Sequence, residues 1–182
     1  LRPMHVSSAL FWIILGATGC VYNGLQRITG KTGSKTLAII QWLLWLIGIV
    51  GIFYSYFNKN FGGREYWEFN PIWALPIALA WILFLINFVS IIRKINNWPV
   101  YIWMWLTGLI FFLFTYLENY LWLFPYFREN FVTDMTIQWK SYGSMVGSWN
   151  MMIYGSSIFL MEKISNNKKY SHSGIAFSLY FL

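Results

Sequence analysis

Runs of predominantly apolar residues, each about 20 long, recur along this chain, and at 1.5 Å per residue a helix of that length crosses the hydrocarbon core of a bilayer. On that criterion five complete spans are predicted, at about 4–25 (A), 36–57 (B), 72–92 (C), 98–117 (D) and 141–161 (E), with a sixth, F, starting near 174. Only 10% of the 182 residues are charged while 58% are hydrophobic. A soluble surface needs roughly a quarter of its residues charged, so most of this surface faces lipid. The predicted fold class is an all-α membrane protein, a polytopic transmembrane helix bundle, read as a single helical domain over 1–182. Residue 1 is Leu, no basic region precedes the first run, and 175–182 opens a new apolar segment. Both ends read as cut, so a piece of a longer protein is expected.

The charges set an orientation. The A–B loop carries Arg27, Lys31 and Lys35, the C–D loop Arg93 and Lys94, and the E–F loop Lys163, Lys168 and Lys169 against Glu162. The other loops are mixed: Lys59 and Arg64 with Glu65 and Glu68, then Arg128 and Lys140 with Glu118, Glu129 and Asp134. Basic loops mark the inner side of a membrane. Span A is therefore predicted to run inward, with its first residues near the outer face. The net charge of +7 is a topology signal, and nucleic acid is not an expected partner.

Aromatic residues crowd the span ends at Trp67, Trp73, Trp98, Trp122, Phe124 and Trp139, where amphipathic rings meet the headgroups. Gly16 and Gly19 in A, Gly48 and Gly51 in B, and Gly143 and Gly147 in E have the spacing that lets helices approach closely. Cys20, alone in an apolar run, reads as a small packing residue.

An ionisable ring inside a membrane span is costly and marks a function by default. His5 is such a ring. Helical periodicity puts His5, Ser8, Ala9 and Trp12 on one face. An imidazole flanked by small residues suits a large planar metal cofactor, with Trp12 against its edge; an interfacial histidine bonded to backbone or headgroup fits equally well. Arg2, one turn outside, suits an anionic group as a guanidinium fork or snorkels to the interface. Glu65 and Glu68 can hold a hard cation such as calcium through oxygen, or serve as a solvated loop with an internal Arg–Glu pair. His172 lies in a polar inner loop and reads as exposed. Two histidines and one cysteine cannot build a structural zinc site, and no nucleophile–base pair or phosphate loop is visible, so any chemistry is carried by a cofactor.

Arg2-Pro3-Met4-His5 followed by Val6-Ser7-Ser8-Ala9 resembles the second-helix motif of haem–copper oxidase catalytic subunits, with the closest likeness to the cbb-type cytochrome c oxidases. Gly63-Arg64-Glu65-Tyr66 with Glu68, then Trp98-Pro99-Val100-Tyr101-Ile102-Trp103, then Asp134-Met135-Thr136-Ile137-Gln138-Trp139 resemble successive later segments of that family. The resemblance implies that His5 is an axial ligand of a low-spin haem b, with Arg2, Ser8 and Trp12 around it. It also implies a calcium ion at Glu65 and Glu68, and cytochrome c-bearing partner subunits at the outer face. The implied activity is respiratory electron transfer to a terminal acceptor, ordinarily oxygen, coupled to proton movement. The implied setting is a bacterial inner membrane, and the second haem and the copper would come from sequence past Leu182.

One departure narrows this. The family carries a copper-binding histidine in span E, within Tyr-Gly-His-Asn; here an ungapped match puts Gly143 at that position, and a one-residue slide puts Ser144 there. Neither suits copper, which favours imidazole. Alternative readings are a divergent haem b electron-transfer paralogue, a nitric oxide reductase-like protein lacking the usual copper site, and a cofactor-free transporter or structural bundle.

Overall fold

In the computed structural model, which describes residues 2–30 and 33–181, the apolar runs are helices. Lys31, counted among the bases of the A–B loop, lies outside the described residues. The order is α1 (Arg2–Thr29), α2 (Lys35–Phe57), a hairpin of β1 (Phe61–Arg64) and β2 (Trp67–Phe69), α3 (Ala74–Ile92), α4 (Val100–Glu118), the short α5 (Pro125–Arg128), α6 (Phe131–Ser165), the short α7 (Lys169–His172) and α8 (Gly174–Phe181). Local signals set the ends. The Ser34 side chain caps α2 by accepting from the Leu37 amide, and Asn130 caps α6 by accepting from Thr133. Short polar side chains serve here because the first amides of a helix lack intrahelical partners. Asn166, in the left-handed conformation, ends α6.

Among the described residues, four helices are long and apolar enough to cross a membrane: α1, α2, α3 with its preceding turn, and α4 with the turn after it. Span E differs from expectation. Its helix α6 is the longest of all, 35 residues, but Ser141, Gly143, Ser144, Gly147, Ser148, Gly155, Ser156 and Ser157 dilute its apolarity below that of a lipid-facing span. Four helices, rather than five, satisfy both length and composition.

Indole rings hold the bundle together. Trp81 of α3 stacks on Phe112 of α4 with ring centroids 4.0 Å apart and donates to the Leu109 carbonyl at 2.9 Å. Trp105 of α4 enters a slot between Gly24 of α1 and Gly155 of α6, where any Cβ would collide with the ring, and its N–H donates to the Met152 carbonyl at 3.2 Å. Burying an indole N–H without a partner costs free energy; those of Trp81 and Trp105 are partnered, whereas the buried Trp45 N–H has no partner among the described residues.

Two expected interface rings are placed differently. Trp67 is 1% exposed and packs edge-on against Phe11 and Tyr116 in the core. Trp98 folds back and donates to the Ile92 and Ile95 carbonyls, closing the last turn of α3. The glycine pairs also divide: Gly48 and Gly51 meet Ile77 and Trp73 closely, whereas Gly16, Gly19, Gly143 and Gly147 face open space. Cys20 is exposed as well.

Candidate functional site

Helix α1 has two unlike faces. Leu10, Phe11, Ile14, Ala17, Val21 and Leu25 are buried at the helical spacing of a packed stripe. On the opposite side His5, Ser8, Ala9, Trp12, Gly16 and Gly19 are exposed, and Trp12 reaches 78%. The structure therefore brings together the residues that the sequence placed on one face. Among the described residues, His5 has no hydrogen bond or ion pair. Ser8 donates to the Met4 carbonyl at 2.7 Å, which turns its hydroxyl onto its own helix and leaves a low, apolar shelf beside the imidazole. Further along, the stripe opens onto a groove of about 570 Å³ between Trp12, Gly16 and Cys20 of α1 and Ile153, Phe159 and Leu160 of α6. An unengaged imidazole, bare helix backbone at two glycines and an exposed indole wall fit a flat apolar group with a metal at its centre.

The mixed-charge loops gather at the His5 end. The Arg2 guanidinium lies 2.7 Å from a Glu65 oxygen and 3.4 Å from a Glu68 oxygen. Glu65 and Glu68 are thus brought together, but around a cation supplied by the chain itself. Burial pushes the Glu68 carboxyl above the ordinary value of 4.5, the Arg2 charge pulls it down, and Glu65 pushes it up; its Oε2 is buried without a hydrogen-bond partner among the described residues. Arg64 pairs with Asp134 at 2.6 Å and lies over the Trp122 ring at 4.9 Å. Lys140 pairs with Glu118 at 2.8 Å, and the Tyr142 hydroxyl donates to the Glu65 carbonyl at 2.6 Å. All of these ties except Lys140–Glu118 meet at the hairpin. Gly63 permits it, since a Cβ there would collide with the Trp67 carbonyl.

The copper-ligand position gives a different answer. Gly143 is exposed on α6, beside an apolar recess of about 410 Å³ lined by Tyr66, Trp67, Trp139, Tyr142 and Trp149. Ser144 is half-buried and its carbonyl accepts from Ser148 at 2.7 Å. A glycine without a side chain and a hard hydroxyl oxygen do not fit copper. Among the described residues no three His, Cys, Asp or Glu side chains converge as metal ligands.

One polar centre escaped sequence reasoning. Asn87 of α3, fully buried, accepts from the Ser34 amide at 2.9 Å and donates to the Ser34 carbonyl and the Tyr22 hydroxyl, each at 3.3 Å. Tyr22 donates on to Gln41 at 2.6 Å. This network fastens the α1–α2 turn to α3 at the end opposite His5. A lone amide in an apolar run was its only signal.

A family model described as "Cytochrome C and Quinol oxidase polypeptide I" matches residues 1–182. A curated relative, cytochrome c oxidase subunit 1 of Rhodobacter capsulatus, is 23% identical over 126 residues, which is 65% of this chain and 23% of the relative's length. No solved structure matches the chain.

Proposed function

The chain belongs to the cytochrome c and quinol oxidase polypeptide I family, the haem–copper oxidase catalytic subunits, and on that premise we propose that it carries the low-spin haem b of a respiratory electron-transfer subunit, with His5 as one axial ligand. The observation that carries the reading is the open stripe of α1. It presents an imidazole with no partner among the described residues at the head of a shelf of small residues, on a helix whose other side is closed.

Bound haem supplies one-electron redox chemistry. His5 offers a ring nitrogen to the iron. Ser8 and Ala9 keep the surface beside that nitrogen low, and Trp12 forms an apolar wall that excludes water. Arg2, steadied by Glu65 and Glu68, sets a positive charge at the mouth of the site, suited to anionic groups at a cofactor's edge. A calcium ion at Glu65 and Glu68 has to displace that guanidinium, which carboxylate infrared bands during calcium titration would register. The loop charges support an outer-face position for this end, and the reading sets it in a bacterial inner membrane, where cytochrome c-bearing subunits deliver electrons. The terminal acceptor in this reading is oxygen, its reduction coupled to proton movement, with the second haem and the copper held elsewhere in the subunit.

A second reading, haem b electron transfer without the usual copper site, is favoured by one observation: Gly143 and Ser144 stand where the family's copper ligand is expected. The test of the common element is a reduced-minus-oxidised spectrum of the purified full-length protein, with and without His5→Ala. A b-type α-band lost in the variant supports the ligand assignment. An absent band, or one that survives unchanged, overturns it.

A further inference from the structure

At the end of the molecule opposite His5, a carboxylate is buried that none of the roles above employs. Glu162, in the last turns of α6, is 6% exposed. Burying a carboxylate is costly unless it is hydrogen-bonded or paired. The Ser171 hydroxyl of α7, itself fully buried, donates to the Glu162 Oε2. His172 comes next: its Nδ1 lies 2.9 Å from Ser171 Oγ and 3.3 Å from the Lys168 carbonyl, and the residue is exposed. Among the described residues, the other groups facing Glu162 are Lys163 on its own helix, 3.8 Å away and 44% exposed, and Tyr101 from α4, which is within reach of its charge.

The hydrogen-bond directions follow from donor counting. Ser171 has one proton, and an anionic carboxylate claims it over a neutral carbonyl. Only lone pairs of Ser171 then face His172, so the ring must present an N–H at Nδ1, which leaves Nε2 toward solvent. We propose that Glu162 is an internal proton acceptor loaded from solvent at the basic end of the molecule, by His172 through Ser171. In the loading step the Nδ1–H bond breaks as a new Ser171 O–H bond forms. The original Ser171 proton moves to Glu162 Oε2, and Nε2 takes a proton from water. The ring ends as its other tautomer, and the net transfer is one proton from water to the carboxylate. Histidine suits this work because its protonation changes near neutral pH. A proton accepted here is available to redox-linked proton movement, a use that rests on the haem-bearing reading above; the loading path itself does not.

The test uses purified full-length protein in vesicles. A pH step is followed by infrared difference spectroscopy of the protonated carboxyl band, and that band must vanish in Glu162→Gln. His172→Ala is expected to slow its appearance about tenfold or more, with imidazole in the buffer restoring the rate. Ser171→Thr, which keeps a hydroxyl, is expected to retain the rate, and Ser171→Ala to lose it. If His172→Ala loads at the parental rate without imidazole, the cluster merely fastens α7 to α6 and the proposal fails. It fails equally if the band survives Glu162→Gln. The α-band, read on the same samples, judges the haem reading separately: its absence overturns that reading and leaves the relay standing.

Discussion

Phe11 and Trp12 are chain neighbours of similar size in one helix, yet Phe11 is 3% exposed and Trp12 is 78%. Phe11 meets Trp45, Trp67 and Phe69 in the core. Trp12 borders an open groove. One face of α1 therefore holds the bundle and the other is free to hold something else. Two neighbouring aromatic rings have much the same hydropathy; only packing separates them. The largest contrast is expected at His5. His5→Ala should abolish the b-type α-band, while parent and variant prepared without haem unfold within about 0.5 kcal/mol of each other, because His5 makes no hydrogen bond or ion pair among the described residues.

The neighbouring pair extends the comparison. Phe11→Ala is expected to destabilise by about 3–5 kcal/mol through the cavity it leaves, measured by chemical or thermal unfolding. Trp12→Ala should stay near zero on the same scale, yet loosen haem retention during purification. A milder version uses glycine. Gly24 faces the Trp105 ring, so Gly24→Ala should cost about 1–3 kcal/mol by overpacking. Gly19 faces open space, so Gly19→Ala should leave stability level or slightly raised through helix propensity. Equal responses at the two glycines would erase the distinction between the faces.

Much of this architecture was legible in the sequence because span length is set by bilayer thickness. Span B, expected at about 36–57, is Lys35–Phe57, and span C ends where expected, at Ile92. Apolar runs report where lipid lies rather than where hydrogen bonding stops, so α1 continues to Thr29 and α6 starts at Phe131, in polar sequence. The face shared by His5, Ser8, Ala9 and Trp12 was legible from helical period alone. The partners of Arg2 were not, because Glu65 stands 63 residues away and only the hairpin fold brings it near. Trp67 shows the same limit. Its position at a span end suggested headgroups, but the hairpin turns its ring inward. Exposed and packed glycines likewise have identical spacing until a neighbouring helix is present.

The smallest expected effect lies at the edge between the two faces, where Arg2 is shared by Glu65 and Glu68. The nearer partner, Glu65, leaves Glu68 only a 3.4 Å contact, so burial prevails and its carboxyl sits above 4.5. A carboxyl raised by folding binds its proton more tightly in the native state than in the unfolded one. Its contribution to stability is therefore full below 4.5 and is lost as pH rises through the raised native value. Glu68→Gln should flatten that slope, changing stability by about 1 kcal/mol or less across the window. Arg2→Ala removes the charge that pulls the carboxyl down, so it should steepen the slope and carry it to higher pH. Unfolding midpoints measured from pH 4 to 8 in the three proteins check both signs. A slope that survives Glu68→Gln would assign the titration to another group and leave Glu68 ionised beside Arg2.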